Sequence, residues 1–414
     1  MVRNPSTPST PAARSRTEFP WLVLVAIFAA WWFGSGGLLR SSHWAHYIYL
    51  ADAFLHGQLH LFRVPNDAGD MAQIGDKLYV VFGPFPALLL MPLLPIFGRG
   101  TPDILVLAFT ALFGAWAFHA LLAKLHGGAG GAAGHDRVRL ACATLTFALG
   151  TAMHYGVPMG NVWLHAQITA TVLQVAALLA AANGRAWTTG VLLGLTVLTR
   201  STTTLALPFA AWLLWTKRER DGGESAPPRA LLPTALAVLL PVVAAAVLHA
   251  VYNKARFGSY GDAGYHYILM GGEFEAIVKQ YGRFSLHFLP QNLYGWVLRL
   301  PTWQNGLFHP DPHGMSLLVT TPYLLLAAWP RKWSKLEVLA LVSFVAISLP
   351  SLLYYNDGWV HFGQRFALDG IALALVAASF GAARAPRWLV VALTAWGVFV
   401  GWWGLQWFAG NFLH

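Results

Sequence analysis

The sequence predicts an all-α polytopic integral membrane protein with about eleven transmembrane helices. Of its 414 residues, 56% are hydrophobic and only 11% are charged, whereas a soluble domain carries about 25% charged residues. Apolar runs long enough to cross the hydrocarbon core recur along almost the whole chain. Basic residues collect in short segments between these runs, as they do on the cytosolic side of membrane proteins.

The first segment, 1–19, is rich in Pro, Ser, Thr and Arg and contains no apolar run. We therefore expect a disordered cytosolic tail and no cleaved signal peptide. The single cysteine, Cys142, falls within an apolar run, so no disulfide can form within the chain.

Two transmembrane modules are predicted after the tail. The first covers 20–230 and contains a long external loop at 40–103, and the second covers 231–414 and contains an external loop at 254–315. Block 186–217 is interpreted as two short spans, with Arg200 near the turn between them. The other predicted spans are 20–39, 104–123, 139–155, 164–182, 231–252, 316–330, 336–354, 366–382 and 388–410.

Segment 80–98, "VVFGPFPALLLMPLLPIFG", is apolar enough to cross the membrane but contains four prolines. Each proline removes a backbone donor from a helix, so we expect this segment to lie against the external face. With this placement most of the 27 basic residues of the chain fall on cytosolic segments, as the positive-inside rule requires. The net charge of +10 is then explained by topology, and we expect no nucleic-acid partner.

The same topology places most histidines and acidic residues on the external face, so we expect the chemistry there. The sequence contains no P-loop, GxGxxG fingerprint or HExxH motif, which argues against an ATP-driven pump and a zinc protease.

The stretch "SSHWAHYIYLADAFLHGQLHL", 41–61, predicts an amphipathic helix at the external membrane boundary. On a helix, Asp52, His56 and His60 would be four residues apart and share one stripe, and Asp52 could pair with His56. This stripe is interpreted as a solvated face, as a weak divalent-metal site, or as the location of a catalytic carboxylate.

External basic and aromatic residues form a second candidate group. Arginine binds phosphate in bidentate pairs, and its guanidinium plane, like an aromatic ring, stacks on sugars and head groups. The alternative is snorkelling arginine anchored to ordinary phospholipid. Asp369 could pair with Arg365, four residues before it, in a structural role that needs no substrate. The candidates for substrate or phosphate binding are Arg200, Arg256, Arg365, Lys77, Trp163, His165, Tyr265, Trp359 and His361.

The motif "FHPDPHGMS", 308–316, places His309, Asp311 and His313 at alternate positions. A metal ligand set and a rigid proline turn both fit this pattern, and we favour the turn.

The layout of about the first 220 residues resembles the GT-C superfamily of membrane glycosyltransferases, in particular the protein-mannosyltransferase and aminoarabinose-transferase type. The resemblance includes the long external first loop, the Pro-rich element "FGPFPALLLMPLLPIFG" and the stretch "GVLLGLTVLTRSTTTLALP", 190–208. It implies transfer of a sugar from a polyprenyl-phosphate donor to a lipid, glycan or protein acceptor. An acidic residue of the first external loop would act as general base.

The sequence departs from this family at two places. Aligning the tyrosine that opens the family's first juxtamembrane helix with Tyr47 places His43 and Trp44 where the catalytic acidic pair should be, and "GPFP" replaces the family's Lys-Pro-Pro. The open candidates for the base are therefore Asp52, favoured here, and His43, Asp70 and Asp67. Loss of catalysis is a further alternative.

The expected function is a glycosyltransferase in the bacterial inner membrane, with a cytosolic N-terminus and a periplasmic active face. The alternatives are a flippase for lipid-linked glycans, a catalytically inactive lipid-binding subunit, and a glycan ligase with a pyrophosphate donor. No cofactor follows from the sequence beyond the divalent metal considered for Asp52, His56 and His60.

Overall fold

The computed structural model describes residues 20–65, 69–127, 136–222, 231–268, 272–329, 332–358 and 360–412. The predicted tail, Asp67 and Trp359 lie outside these ranges. The described helices are α1 (Trp21–Gly34), α2 (His46–Leu55), α3 (Phe85–Leu90), α4 (Leu94–Phe97), α5 (Asp103–Gly127), α6 (Arg137–Leu149), α7 (Met153–Met159), α8 (Val162–Ala182), α9 (Ala186–Val197), α10 (Leu207–Gly222), α11 (Leu231–Phe257), α12 (Gly272–Tyr281), α13 (Leu289–Val297), α14 (Leu317–Thr320), α15 (Lys335–Leu352), α16 (Leu368–Ala382) and α17 (Arg387–Phe412).

Two short antiparallel hairpins complete the described structure. Strands β1 (Met71–Ile74) and β2 (Lys77–Val80) pair with Met71 opposite Val80. Strands β3 (Thr302–Gln304) and β4 (Leu307–His309) pair with Thr302 opposite His309.

The predicted fold class, an all-α integral membrane protein, is confirmed. Within the described residues, six helices are long and apolar enough to cross a membrane: α5, α8, α11, α15, α16 with the 3-10 turn before it, and α17. The pair α6 and α7, bent by 46°, adds a seventh if it is counted as one span. Helices α1 and α9 are apolar but shorter, so the predicted number of eleven spans is not established.

The segment predicted as a span at 316–330 is not one regular α-helix. Helix α14 has four residues, and a 3-10 helix, Pro322–Ala328, follows it. Pro322 lacks the backbone N–H that would continue α14, and Thr321 before it has φ −137° and ψ 60°, outside the helical region. This segment is therefore a broken helix packed against α16 and α17.

The Pro-rich segment 80–98 folds as α3 and α4 with a 3-10 turn between them, and is too short to be counted among the candidate spans. It packs against α2 and the start of α8. Gly83 lies directly against the turn after α9, because a Cβ on Gly83 would be 2.2 Å from the carbonyl oxygen of Leu198. The first long loop is thus attached to the chain segment that carries Arg200.

Helices α8 and α16 form the centre of the bundle, and almost all of their residues are buried. Helix α11 packs mainly on α9 and presents most of its apolar residues outward. An outward apolar face is stable in lipid, which is as apolar as these side chains.

Candidate functional site

At one end of the bundle the partly buried Arg200 forms an ion pair with the fully buried Asp369. Arg200 follows α9 in extended conformation, and its Nε donates to both carboxylate oxygens of Asp369 at 2.6 Å. The hydroxyl of Thr202 donates to the same carboxylate at 3.3 Å. The Nη atoms of Arg200 make no hydrogen bond to the described residues.

The predicted pair between Arg365 and Asp369 is therefore wrong. Arg365 lies in the 3-10 turn Arg365–Ala367, ahead of α16. The side-chain geometry that brings residues four apart together in an α-helix does not hold across this change of helix type. The carboxylate of Asp369 is directed to Arg200 instead.

Arg365 is a buried cation held without an acidic partner. Its Nε donates to the carbonyl oxygen of Gly358 at 3.3 Å, and its guanidinium carbon lies 5.6 Å from the ring centre of Trp163 and 4.8 Å from that of Phe366. No carboxylate of the described residues lies within ion-pairing distance of Arg365. Such a cation is suited to bind an anion.

His361 is buried beside Arg365. Its Nδ1 accepts the backbone N–H of Arg365 at 3.4 Å. Burial, together with the positive charge of Arg365, lowers the pKa of His361 to about 3. His361 is therefore neutral at physiological pH and stabilises the turn that carries Arg365.

Asp70 brings a carboxylate to the same place. Its backbone has φ 61°, in the left-handed region where aspartate is tolerated. Trp163, at the start of α8, donates its indole N–H to Asp70 Oδ2 at 2.8 Å. The charge of Asp70 also acts on Arg365 and Tyr265. The indole of Trp163 thus lies between an exposed carboxylate and a buried guanidinium.

Tyr47 and Tyr265 lie within electrostatic range of Arg200, and His165 contacts Tyr47. The guanidinium of Arg200 acts electrostatically on the hydroxyls of Tyr47 and Tyr265. Burial raises the pKa of the Tyr47 hydroxyl well above its usual value, as do Tyr265 and Tyr252, so this phenol stays protonated and can donate. The ring of His165 lies 5.5 Å from that of Tyr47.

Several of these buried polar atoms lack hydrogen-bond partners. The hydroxyls of Tyr47 and Tyr252 and both ring nitrogens of His165 make no hydrogen bond to the described residues. Leaving a buried polar group unpaired costs about 1–3 kcal/mol, and such groups mark sites that bind water or a polar ligand. Tyr47 and His165, whose rings are in contact, therefore leave donors and acceptors for water or a polar ligand.

Arg256 has a different environment from the other two arginines. Its Nη atoms donate to the carbonyl oxygen of Val80, at 2.6 Å, and to Asn253 Oδ1, at 2.9 Å. Its guanidinium carbon stacks on Tyr252, 3.7 Å from the ring centre. These contacts attach the end of α11 to strand β2, and we interpret Arg256 as a structural residue.

The predicted stripe of Asp52, His56 and His60 is wrong, because α2 ends at Leu55. His56 is the C-cap, and its Nδ1 lies 2.8 Å from the backbone oxygen of Asp52 and 3.5 Å from its carboxylate. His60 lies beyond the helix, near Tyr79. Among the residues that the structure describes, no three His, Cys, Asp or Glu side chains are grouped to hold a metal ion.

Two other predicted residues lie at the edge of this region. His43 is exposed, and its ring packs edge-on against Trp44, which in turn contacts Trp163. Lys77 is exposed at the start of β2. No contact in the described structure joins Lys77 to Arg200 or Arg365.

The motif "HPDPH" forms a turn. Asp311 accepts the backbone N–H of His313 with its side chain, at 2.9 Å. The Nδ1 of His313 lies 2.7 Å from Asp357, in the loop that leads to Arg365, and Arg299 lies 3.6 Å from the same carboxylate. The segment around His313 is thus connected to the loop that leads to Arg365.

Sequence reasoning missed three contributors. The sequence pairs Asp369 with the wrong arginine, and it uses Tyr47 only to align the first juxtamembrane helix. Asp103, buried at the start of α5, accepts the backbone N–H and hydroxyl of Ser42 at 2.7 and 2.6 Å and so fixes the loop that carries His43. A carboxylate at the first residue of an apolar helix is the signal that could have identified Asp103.

No family model and no curated protein matches the chain. The chain is similar to solved structures. The chain is similar to ArnT from Cupriavidus metallidurans in the apo state, with 14% identity, a TM-score of 0.46, and coverage of 88% of this chain and 60% of that one. It is also similar to the oligosaccharyltransferase AglB from Archaeoglobus fulgidus in complex with an inhibitory peptide and a dolichol-phosphate, with 13% identity, a TM-score of 0.46, and coverage of 94% and 55%.

The chain spans between one half and two thirds of the length of each of these structures. Because the TM-scores are below 0.5, we base the functional proposal on the residues of the site.

Proposed function

We propose that the protein transfers a sugar from a polyprenyl-phosphate-linked donor to a lipid, glycan or protein acceptor at the external face of the membrane. One observation carries the proposal. At one end of an apolar helix bundle, Trp163 donates its indole N–H to the Asp70 carboxylate at 2.8 Å, and its ring centre lies 5.6 Å from the guanidinium carbon of Arg365, which has no carboxylate partner among the described residues. The donor's phosphate needs a cation, and the acceptor hydroxyl needs a proton acceptor.

Arg365 is the proposed main ligand of the donor phosphate. Arginine forms short, charge-assisted hydrogen bonds to phosphate with two of its N–H groups. Arg200 supports it, because its Nε alone is engaged by Asp369. Two cations stabilise the negative charge that grows on the phosphate as the sugar leaves.

Asp70 is the proposed general base. The acceptor oxygen forms a bond to the anomeric carbon while the bond from that carbon to the phosphate oxygen breaks. The bonding electron pair leaves with the polyprenyl phosphate, and the acceptor's proton goes to the Asp70 carboxylate. The indole N–H of Trp163 holds this carboxylate in place.

The hydroxyl of Tyr47 and the ring of His165 are the proposed contacts for sugar hydroxyls. Their unpaired donors and acceptors match a ligand with hydroxyls on several sides. The ring of Trp163 offers an apolar face on which a sugar can stack. The residues proposed for the site are Tyr47, Asp70, Trp163, His165, Arg200, Tyr265 and Arg365, with Asp369 and His361 supporting the arginines.

The proposal is tested by Asp70→Asn in the purified, nanodisc-embedded protein. We expect transfer or hydrolysis of a panel of synthetic polyprenyl-phosphate hexoses to fall by about 10²–10⁴, because a general base contributes this much to the rate. Binding of the lipid should remain, since the asparagine keeps the shape of the side chain and Arg365 is unchanged.

The matched control is Asp52→Asn, which changes a carboxylate of the same loop that pairs with His56. Unchanged turnover in Asp70→Asn together with a large loss in Asp52→Asn would move the role of base to Asp52. If the unmodified protein moved labelled lipid across the liposome membrane without changing it chemically, transport would replace the transferase proposal.

A further inference from the structure

The segment from α13 to the end of the β3–β4 hairpin presents an unusually apolar surface. Between Leu289 and Phe308 the sequence contains one charged residue, Arg299. Exposed large apolar side chains are normal when scattered, but contiguous groups of them mark a contact surface. Those of this segment are Leu293, Tyr294, Val297, Leu298, Leu300, Trp303, Leu307 and Phe308, each at least 41% exposed.

The only charge of the segment is turned inward. Arg299 donates to the carbonyl oxygen of His313 at 2.7 Å, and its guanidinium lies 3.8 Å from Asp311 and 3.6 Å from Asp357. The outward surface of the segment therefore carries no charged side chain.

Helix α13 descends along α15 from the end near the site. Asn292 donates to the carbonyl oxygen of Leu352 at 3.0 Å, at the last residue of α15. One turn later the ring of Trp296 faces Phe344, with 6.4 Å between ring centres. Phe344 lies eight residues before Leu352, which is about 12 Å along the helix axis at 1.5 Å per residue.

The chain after the hairpin confirms this depth. Ser316 donates its hydroxyl to the carbonyl oxygen of Val297, the last residue of α13, at 2.6 Å. Three residues further, Val319 accepts the indole N–H of Trp396 at 3.0 Å. Trp396 lies sixteen residues before the end of α17 at Phe412, about 24 Å along its axis. The end of α13, which is bonded to Ser316, therefore lies only three residues along the chain from Val319, and Val319 is bonded to a position deep in the bundle.

The hairpin itself suits the boundary between hydrocarbon and head groups. Its two strands leave unpaired backbone edges, which the hydrocarbon centre excludes. Its turn is formed by Asn305 and Gly306, with φ 51° and 78°. The packed rings of Trp303 and Phe308, 4.6 Å apart, are of the aromatic type that concentrates at membrane interfaces.

We propose that α13 and the β3–β4 hairpin, Leu289–His309, insert into the lipid leaflet on the site's side. Their exposed apolar side chains contact acyl chains, continuous with the lipid-facing side of α15, and the turn lies among the head groups. Part of the loop predicted at 254–315 as external is thus a membrane-inserted element. It extends to the site, because a Cβ on Gly295 would lie 3.4 Å from the amide nitrogen of Gln364, next to Arg365.

The test measures the lipid exposure of spin labels in nanodiscs. Cys142 is the only cysteine, so Cys142→Ala provides a cysteine-free background for Trp303→Cys and, independently, Leu307→Cys. We expect labels at both positions to collide with oxygen severalfold more often, relative to a water-soluble nickel chelate, than a label at Lys279→Cys. Lys279 is the matched control, because it lies in the same loop, is 75% exposed and pairs with Glu275 on the surface of α12.

Equal access of the nickel chelate at all three positions would place the hairpin in water and overturn the proposal. Protection of Trp303→Cys and Leu307→Cys from both oxygen and the chelate would also overturn it, since the surface would then be covered by protein. Each variant is first shown to be monodisperse, and the test does not depend on activity, so its failure is distinguishable from failure of the proposed function.

Discussion

At the scale of single residues, two arginines of the same region have different environments. Arg200 is paired with a buried carboxylate at 2.6 Å, whereas Arg365 is held by a carbonyl oxygen and two aromatic rings. Asp369 offsets one of the two positive charges, which reduces the repulsion between them. In the proposed function, the remaining charge on Arg365 is the one that the phosphate of the donor neutralises.

The Arg200–Asp369 pair yields a stability prediction. Asp369→Asn should destabilise the protein by about 3 kcal/mol, because removing one member of a buried ion pair leaves the other charge uncompensated. The double variant Arg200→Met with Asp369→Leu should cost less than the sum of the single variants, since neither charge remains. Thermal unfolding in detergent measures both effects. The pairing would be contradicted if the double variant lost as much stability as Arg200→Met and Asp369→Leu lose together as single variants.

His361 yields a prediction on pH. Its pKa is lowered to about 3 in the folded protein, below the value of about 6.5 for an exposed histidine. Between these values the unfolded chain binds a proton that the folded protein does not, so stability falls as the pH decreases from about 6.5 towards 3, by at most about 1.4 kcal/mol per pH unit. The charged or titratable groups that face His361 are Arg365, Arg299 and His313.

The comparison that isolates this effect is the pH dependence of the unfolding temperature in His361→Gln. We expect a flatter dependence below pH 6.5 than in the unmodified protein, because glutamine does not titrate. Identical slopes would show that His361 takes up its proton without resistance in the folded state.

At the scale of elements, the first long loop, 40–103, is positioned by close backbone packing. Gly83, after β2, lies against the turn that ends α9, and the backbone N–H of Phe85 donates to the carbonyl oxygen of Leu198 at 3.1 Å. Leu198 is two residues before Arg200. The loop that carries Asp70 and the turn that carries Arg200 are therefore fixed to each other, although 130 residues separate these two side chains in the sequence.

Gly83→Ala should separate these two elements. Its Cβ would lie 2.2 Å from the oxygen and 2.6 Å from the carbon of the Leu198 carbonyl, which backbone atoms cannot accept without moving. Overpacking of this kind costs about 1–3 kcal/mol, and the displacement of Arg200 should lower turnover. Gly100→Ala is the control, because a Cβ there meets nothing within 4 Å. Equal stability and activity of the two variants would contradict the proposed packing.

At the scale of the whole molecule, the site unites residues from most of the chain. Asp70 precedes β1, Trp163 begins α8, Arg200 follows α9, Tyr265 lies beyond α11 and Arg365 precedes α16. All of these positions lie at element ends or in loops, on one end of the bundle. Rigid spans thus hold side chains that belong to connecting segments.

This arrangement predicts the topology. Single cysteines in the Cys142→Ala background at Tyr260, after α11, and Glu219, near the end of α10, lie at opposite ends of the spans. In intact cells we expect a membrane-impermeant maleimide to label Tyr260→Cys, with Glu219→Cys labelled only after permeabilisation, since the basic end of α10 belongs on the cytosolic side. The reverse labelling would place the proposed site in the cytosol.

The sequence alone determined the class of the protein and the neighbourhood of its site. A chain with few charges and many long apolar runs folds in a membrane, because exposing so much apolar surface to water is unfavourable and the hydrocarbon core accommodates it. The pattern also located Arg200 at a turn, Trp163 and His165 at the start of a helix, and Tyr265 and Arg365 in connecting segments. These are local properties, since they depend on residues close together in the chain.

Only the tertiary structure decided which of these residues meet. The pairing of Asp369 with Arg200 instead of Arg365, the contact of Asp70 with Trp163, and the end of α2 before His60 all depend on neighbours far away in sequence. The periodicity of a helix predicts which residues share a face, but it contains no information on what packs against that face. The proposed choice of Asp70 as base rests on its contact with Trp163, which joins residues 93 positions apart and is therefore outside the information in a local sequence pattern.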